Sequence, residues 1–478
     1  MKTKNIVTVL LVTIILASCT PAVTLMQSTE TAIPPTLTFT PIPPTPTVTP
    51  TPVPENLADA KDLSKWIDNY VHAFGGKVTV NNVEMDANQL TAEIRKNVEA
   101  FTQVKEINGA EYLFLLINGV PLAMREGKGQ WEDFTSRKII ELRANPDDVF
   151  RYIGVKYSDP FNVDTSSRVD QVFAEEFNFA YLMDTAYHQI EKREGIFTFQ
   201  NAIDAANSAK ENGMITIGGP LVYGKSDFDF TYLKEKRSTL TRDELINIMK
   251  RHIKTQMEGT PGSLDIMLVV NEYVPKNVLD MTWENPEKLS YDAYADIIGD
   301  DYVDIAFEYA REIDTKGGTI PPTTILIYNN TANHLPQGNT YWEGDNTNLT
   351  VANVNRLRDK GLIDGVGIQL HIDAAQPPNI DNMIKTFRNY GIPVYVTEFD
   401  IDISRFDGTD SQKEQIRTDL YRKILEGILK SNVTVAVNHW SAVSEQGRGQ
   451  AQLFDNQLNP TINLFVERQV LFEYFLGN

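Results

Sequence analysis

Ile266-Met267-Leu268-Val269-Val270-Asn271-Glu272 and Val394-Tyr395-Val396-Thr397-Glu398 are the two stretches on which the reading of this chain turns. Each is a short apolar, β-rich run that stops at a glutamate. Similar runs begin near Phe150, Phe177, Met214, Leu264, Thr323, Gly365, Pro393 and Val433. Helical segments lie between them. Tyr302, Ile305, Tyr309 and Ile313 recur along one face of one such segment, and Ile416, Leu420, Ile424 and Ile428 along another, the spacing of an amphipathic helix. Short buried runs alternating with helices are the pattern of a parallel sheet. Eight of them across residues 148–478 predict an α/β fold, a (β/α)8 TIM barrel with loop insertions. A doubly wound open sheet would carry a glycine-rich phosphate turn after its first strand, and the segment after Phe150 has none.

Such barrels carry their chemistry at the C-terminal ends of the strands. Glu272 and Glu398 fall there, on the fourth and seventh runs, which face each other across the mouth. A lone glutamate at a strand end reads as a solvated loop residue. Two on these strands match the carboxylate pair of a retaining glycosidase, which needs carboxyls about 5 to 5.5 Å apart, one protonated and one ionised. Glu272 is then the general acid and later the base, and Glu398 the nucleophile. Asn271 stands ready to hydrogen-bond the sugar 2-hydroxyl as an oxocarbenium-like transition state develops. Neither metal nor cofactor is needed for this chemistry.

The 478 residues are 42% apolar, enough for a full core, and the formal charge is −20. That charge argues against nucleic acid, whose binding depends on Lys and Arg neutralising phosphates. A neutral glycan fits better, and no obligate protein partner is implied. The single cysteine, Cys19, excludes an intrachain disulfide. It closes Leu16-Ala17-Ser18-Cys19, after Lys2, Lys4 and an apolar run from Ile6 to Leu16 that is too short to span a bilayer. The pattern resembles a bacterial lipoprotein box. Residues 1–19 are therefore expected to be a signal peptide, with Cys19 lipidated and the protein anchored to a membrane at the cell surface. Residues 20–54, rich in Thr and Pro, favour extended polyproline geometry; at about 3.1 Å per residue they reach on the order of 100 Å, as a tether would. Residues 55–147 form a mixed N-terminal region. Asp86 and Gln89 are spaced as a capping box, Leu90, Ile94, Val98 and Phe101 share a face, and Asn118-Gly119 after Tyr112–Ile117 signals a hairpin. The region is either a small accessory module or an elaboration packed on the next domain.

From 148 to 478 the chain resembles glycoside hydrolase family 10, the retaining endo-β-1,4-xylanases. The family's acid/base strand ends Trp-Asp-Val-Val-Asn-Glu-Ala, and Met267-Leu268-Val269-Val270-Asn271-Glu272-Tyr273 is similar to it. Its nucleophile strand, Ile-Thr-Glu-Leu-Asp, resembles Val396-Thr397-Glu398-Phe399-Asp400; its sixth strand, Gly-Ile-Gly-x-Gln-x-His, resembles Gly365-Val366-Gly367-Ile368-Gln369-Leu370-His371. Further similarities run from Glu191 through Gly195 to Phe199, along Ala306 to Glu312, and from Leu453 to Pro460. The resemblance implies that His371 orients the nucleophile, that Gln369 lines the substrate site and that Trp440 walls the sugar. It implies a β-1,4-linked polysaccharide as substrate, xylan by default.

Two motifs depart. The family's Glu-Asn-x-x-Lys-Trp after strand two corresponds to Leu182-Met183-Asp184-Thr185-Ala186-Tyr187, and its Gly-His-Thr-Leu-Val-Trp-His after strand three to Gly218-Gly219-Pro220-Leu221-Val222-Tyr223-Gly224. Asp184, Tyr187 and Tyr223 are expected as replacement sugar contacts, the tyrosines as stacking faces, with Gly219 and Gly224 leaving room for a bulkier or branched sugar. Two alternatives stand beside a xylanase: a β-glycan hydrolase of other specificity, and a non-catalytic glycan-binding lipoprotein. Joint retention of Glu272, Glu398, Asn271 and His371 argues against the second.

Overall fold

The computed structural model describes residues 60–477, apart from 74–75, 82, 108, 134–147, 158–165, 225–230, 237, 261–263, 276–291, 316–323, 332–333, 336–345, 444–452 and 456. The expectations for Cys19, the signal peptide and the linker lie outside the described residues.

The N-terminal region begins with α1 (Leu63–Ala73), the hairpin β1 (Val78–Val80) and β2 (Val83–Met85), and α2 (Ala87–Lys96). Asp86 and Gln89 close the expected capping box around α2. The stripe stops at Ile94, because Asn97 leaves helical geometry and Val98–Phe101 forms a separate 3₁₀ turn. An antiparallel sheet follows: β3 (Thr102–Ile107), β4 (Ala110–Ile117), β5 (Val120–Glu126) and β6 (Glu132–Asp133). Asn118 and Gly119, at φ 50° and 78°, make the two-residue turn between β4 and β5, the backbone that suits a twisted hairpin.

The eight predicted runs become eight parallel strands: β7 (Tyr152–Tyr157), β8 (Phe179–Leu182), β9 (Ile215–Gly218), β11 (Ile266–Asn271), β12 (Ile325–Thr331), β13 (Gly365–Asp373), β14 (Val394–Asp402) and β15 (Thr434–His439). The barrel closes where β15 pairs with β7 and β9 with β11, and the short β10 (Val222–Tyr223) adds to the end of β11. Outside lie α3 (Ser166–Glu176), α4 (Gln200–Glu211), α5 (Arg242–Gly259), α6 (Tyr302–Thr315), α7 (Asn346–Asp359), α8 (Ile380–Asn389), α9 (Asp410–Lys430) and α10 (Ile462–Gly477). On α9 the predicted stripe is buried at Leu420, Ile424 and Ile428. On α6 it is rotated: Tyr302, Val303, Ala306, Phe307 and Ala310 are buried. Ala306 and Ala310 are fully buried, while Tyr309 lies under Lys250 of α5, whose Nζ is 5.2 Å from its ring.

Strict alternation would aim the motif residues the wrong way, and two β-bulges correct it. Ile266 and Leu268 point into the barrel, yet Val269 and Val270 both join the outer apolar layer. The pairing with β12 jumps from Leu268 and Ile327 to Val270 and Tyr328, so Asn271 faces inward opposite Asn329. On β14, pairing jumps from Val396 to Glu398, and Thr397 is the extra residue. A one-residue bulge flips the side-chain parity of everything beyond it. The bulges turn Asn271 and Glu398 inward, while Glu272, one residue past β11, is turned by its own left-handed backbone at φ 52°.

α10 buries Ile462, Leu464, Phe465, Val466, Val470, Leu471 and Phe472. A helix apolar on more than one side needs cover on more than one side. The barrel supplies one cover and the β3–β6 sheet the other, with β3 and β5 packed on α10. Lys105 Nζ lies 2.7 Å from Glu473 at that seam. A single apolar cluster runs from Leu63 through Leu122 to Leu471, so residues 60–133 share a core with the barrel.

Candidate active site

A chain of buried amides underlies the mouth. Asn438 Nδ2 donates to the Thr397 carbonyl at 2.9 Å, Thr397 Oγ1 to Asn329 Oδ1 at 2.7 Å, and Asn329 Nδ2 to Asn271 Oδ1 at 2.8 Å. Gln369 Nε2 is 3.3 Å from the same Asn271 oxygen. With Oδ1 so occupied, the Asn271 amide is turned so that Nδ2 faces Glu272 Oε1 at 3.5 Å.

Glu272 adopts φ 52°, the left-handed region, a conformation that costs a non-glycine residue roughly 1–3 kcal/mol. Its N–H is held by the Asn329 carbonyl at 3.1 Å. The half-buried carboxyl meets uncharged donors: Gln369 Nε2 at 2.8 Å on Oε1 and the Tyr223 hydroxyl at 3.0 Å on Oε2. Glu398 is set differently. It is 6% exposed, and its Oε2 lies 3.1 Å from His371 Nε2, whose Nδ1 is 2.8 Å from Asp400 Oδ1.

Burial alone would lower the His371 pKa, but its hydrogen bonds to Asp400 and Glu398, and their charges, push it up to about 10. These contacts favour the imidazolium form of the ring, set between Asp400 and Glu398. The Glu398 carboxyl is raised above its ordinary range, chiefly by burial and further by the charges of Glu272 and Asp400, with His371 pulling against them. Trp440 closes the other side, its ring 5.8 Å from Tyr181 and 6.4 Å from His371. Lys156 Nζ stands 5.1 Å over that ring.

This barrel, with one glutamate just past its fourth strand and the other within its seventh, which runs four residues beyond the predicted end at Glu398, coincides with a recognised family: the model of glycosyl hydrolase family 10 matches residues 141–466. The chain belongs to that family. Among family relatives, endo-1,4-beta-xylanase A of Thermotoga neapolitana is 31% identical over 266 residues, covering 54% of this chain and 23% of that protein's length. Endo-1,4-beta-xylanase B of the same organism is 27% identical over 288 residues, covering 58% of this chain and 75% of its own. Xylanase 10B of Thermotoga petrophila RKU-1, solved with xylobiose, shares the fold with a TM-score of 0.58 at 23% identity, covering 72% of this chain and 98% of that one.

Within this family 10 barrel, Asn271, Glu272, Gln369, His371, Glu398, Tyr223 and Trp440 come together, and the other expected sugar contacts do not. Tyr187 is fully buried, edge-on to Tyr223 and His252 at 6.3 and 6.1 Å. It backs Tyr223 and offers no stacking face, because the turn after β8 folds inward. Asp184 is half-buried on that turn, Met183–Thr185, outside the hydrogen bonds that tie the glutamates. Tyr223 is itself 7% exposed and turned to Glu272, which makes it a partner of the acid more than a platform. Nor do the glycines leave room. A Cβ on Gly219 would stand 2.6 Å from the Leu268 carbonyl oxygen, and one on Gly224 2.1 Å from Asp292 Oδ1.

Several site residues escaped the sequence reading. Asp400 and Asn329 had a signal: each ends an apolar run, Asp400 two positions past Glu398 and Asn329 just after Tyr328. Lys156 and Tyr181 had only period-two alternation with Tyr152 and Phe179.

Proposed function

We propose that this protein is a retaining, endo-acting β-1,4-xylanase. The observation that carries the proposal is the contrast between the two carboxyls. Glu272 takes hydrogen bonds from a neutral amide, Gln369, and a neutral phenol, Tyr223, as suits an acid that cycles its proton. Glu398 is buried beside His371, whose hydrogen bond and charge favour the ionised form a nucleophile needs. In the first step Glu272 gives its proton to the glycosidic oxygen as the bond to the anomeric carbon breaks, and Glu398 attacks that carbon to form a glycosyl ester. In the second, water attacks the same carbon, its proton passes to Glu272, and the ester bond breaks to return the Glu398 carboxylate. Asn271, held by Asn329 and Gln369, presents Nδ2 for the sugar 2-hydroxyl. Xylan is the substrate favoured by family membership and by relatives named as xylanases.

Reducing-sugar release from xylan, mixed-linkage glucan and cellulose tests this, with xylan expected to lead. NMR immediately after cleavage should show β-configured product ends. First-formed α-product, or no release from any of the three, overturns the proposal.

Specificity within xylans is proposed to differ from that of members carrying the family's asparagine, lysine and histidines after strands two and three. Those grips are replaced here at Leu182–Tyr187 and Gly218–Gly224. Each lost hydrogen bond to a sugar costs about 0.5–1.5 kcal/mol. Plain xylo-oligosaccharides should therefore be cleaved with a lower kcat/KM here than by members that carry those grips, and an equal or higher value refutes this.

The enzyme is further proposed to work outside the cytoplasm, held at a membrane through lipid on Cys19, on the strength of Lys2, Lys4, the Ile6–Leu16 run and Leu16-Ala17-Ser18-Cys19. Cys19→Ser should move it from the membrane fraction to the soluble one or leave it unprocessed. Unchanged membrane association refutes the anchor.

A further inference from the structure

We infer that Tyr223 is a catalytic residue whose hydroxyl attends the one oxygen of Glu272 that gives up and regains the proton. The inference rests on the reading of Glu272 as acid and base. Oε1 of Glu272 faces two amide nitrogens, Gln369 Nε2 at 2.8 Å and Asn271 Nδ2 at 3.5 Å. Amide N–H groups donate and never accept, so a proton on Oε1 would point at donors. Their orientation is set from below: Thr397 Oγ1 donates to Asn329 Oδ1, and Asn329 Nδ2 to Asn271 Oδ1. The proton of the acid form therefore sits on Oε2, the oxygen 3.0 Å from the Tyr223 hydroxyl.

A hydroxyl both donates and accepts. When Glu272 is ionised, Tyr223 donates to Oε2 and steadies the charge. When Glu272 is protonated, the phenol oxygen accepts from Oε2–H until substrate arrives and that proton turns to the glycosidic oxygen. The phenol O–H bond stays intact throughout; only the Oε2–H bond breaks, as the new O–H bond on the leaving group forms. Burial and the charge of Glu272 hold the phenol far above its ordinary range, so Tyr223 keeps its own proton. The tryptophan of the family motif at this position has an indole N–H, which only donates.

The fold holds Tyr223 for this task. β10 pairs Tyr223 with Asn271, which sets it beside Glu272. Its ring is wedged by fully buried Tyr187. Behind it, the Gly224 carbonyl accepts the Ala293 N–H at 2.9 Å, and Asp292 fills the space beside Gly224.

The test measures kcat/KM against pH for the wild-type enzyme and Tyr223→Phe on two aryl β-xylobiosides, one with a dinitrophenyl and one with a phenyl leaving group. Without the donor, the Glu272 carboxylate is less stable, so the basic limb should move up by about one pH unit. Cleavage of the phenyl glycoside, which needs the proton, should fall about tenfold to a hundredfold, and of the dinitrophenyl glycoside by less than about twofold. An unmoved basic limb with equal losses on both substrates overturns the inference and leaves Tyr223 a packing residue. Should Tyr223→Phe fail to fold, 3,5-difluorotyrosine at position 223, a stronger donor of similar shape, should move the basic limb down, and an unmoved limb overturns the inference. A wild-type enzyme inactive on both substrates overturns the Glu272 and Glu398 reading, and the inference with it.

Discussion

At the residue scale, the site works by giving two identical side chains different surroundings. Removing the nucleophile, Glu398→Ala, should lower kcat on xylan by about 10⁴-fold or more, measured by reducing-sugar release with unchanged folding by circular dichroism. His371 pulls the Glu398 carboxyl down. In His371→Asn that pull is lost, the Glu398 pKa rises, and the acid limb of kcat/KM should shift to higher pH; a downward or absent shift contradicts the ion pair. His371 also links folding to pH. Its folded pKa of about 10 lies above the ordinary 6.5, so its stabilisation is full below 6.5 and lost as pH rises towards about 10. Melting temperature should fall across that window in the wild type and fall less steeply in His371→Asn.

At the scale of elements, the bulges and the tight loop after β9 decide where side chains point. Strand positions were legible because apolar runs and helix periods are local signals, and all eight strands start within two residues of the predicted runs. The bulges at Val269 and Thr397 were not, since they show only against the partner strand's register. Gly224 illustrates the difference. Read as a residue type it suggests space; in the fold it lies against Asp292, whose carboxylate takes the N–H groups of Val274, Tyr294 and Ala295 and the hydroxyl of Tyr302. Asp292 cannot yield without leaving those groups unpaired. Gly224→Ala should therefore cost roughly 1–3 kcal/mol and lower the melting temperature by several degrees, and it should reduce kcat through Tyr223. A neutral outcome in calorimetry would mean that the position is open after all.

At the scale of the whole molecule, the N-terminal sheet and the barrel share one core through α10. Deleting residues 56–133 should strip the cover from that helix and expose a large apolar face. The expected result is a truncated protein that aggregates or melts well below the full chain. Leu122→Asp, at a fully buried β5 position, should destabilise the full chain in the same direction. A soluble truncated barrel with the parent's melting temperature would identify residues 60–133 as an independent module.

The barrel class, the strand order and the placement of Glu272 and Glu398 on the fourth and seventh strands could be read from the amino-acid order, because each depends on contiguous residues: an apolar run, a helical period, an acid after it. The rest depends on neighbours far apart in the chain. Gln369 and Glu272 are separated by 97 positions and Tyr223 and Glu272 by 49, so no local pattern reports that these groups meet. The same holds for Tyr187, whose type suits either a sugar platform or a buried wedge. Its burial was decided by how the turn after β8 packs against Tyr223 and His252. Local order writes periodicity, and only close packing in three dimensions assigns each polar side chain its partner.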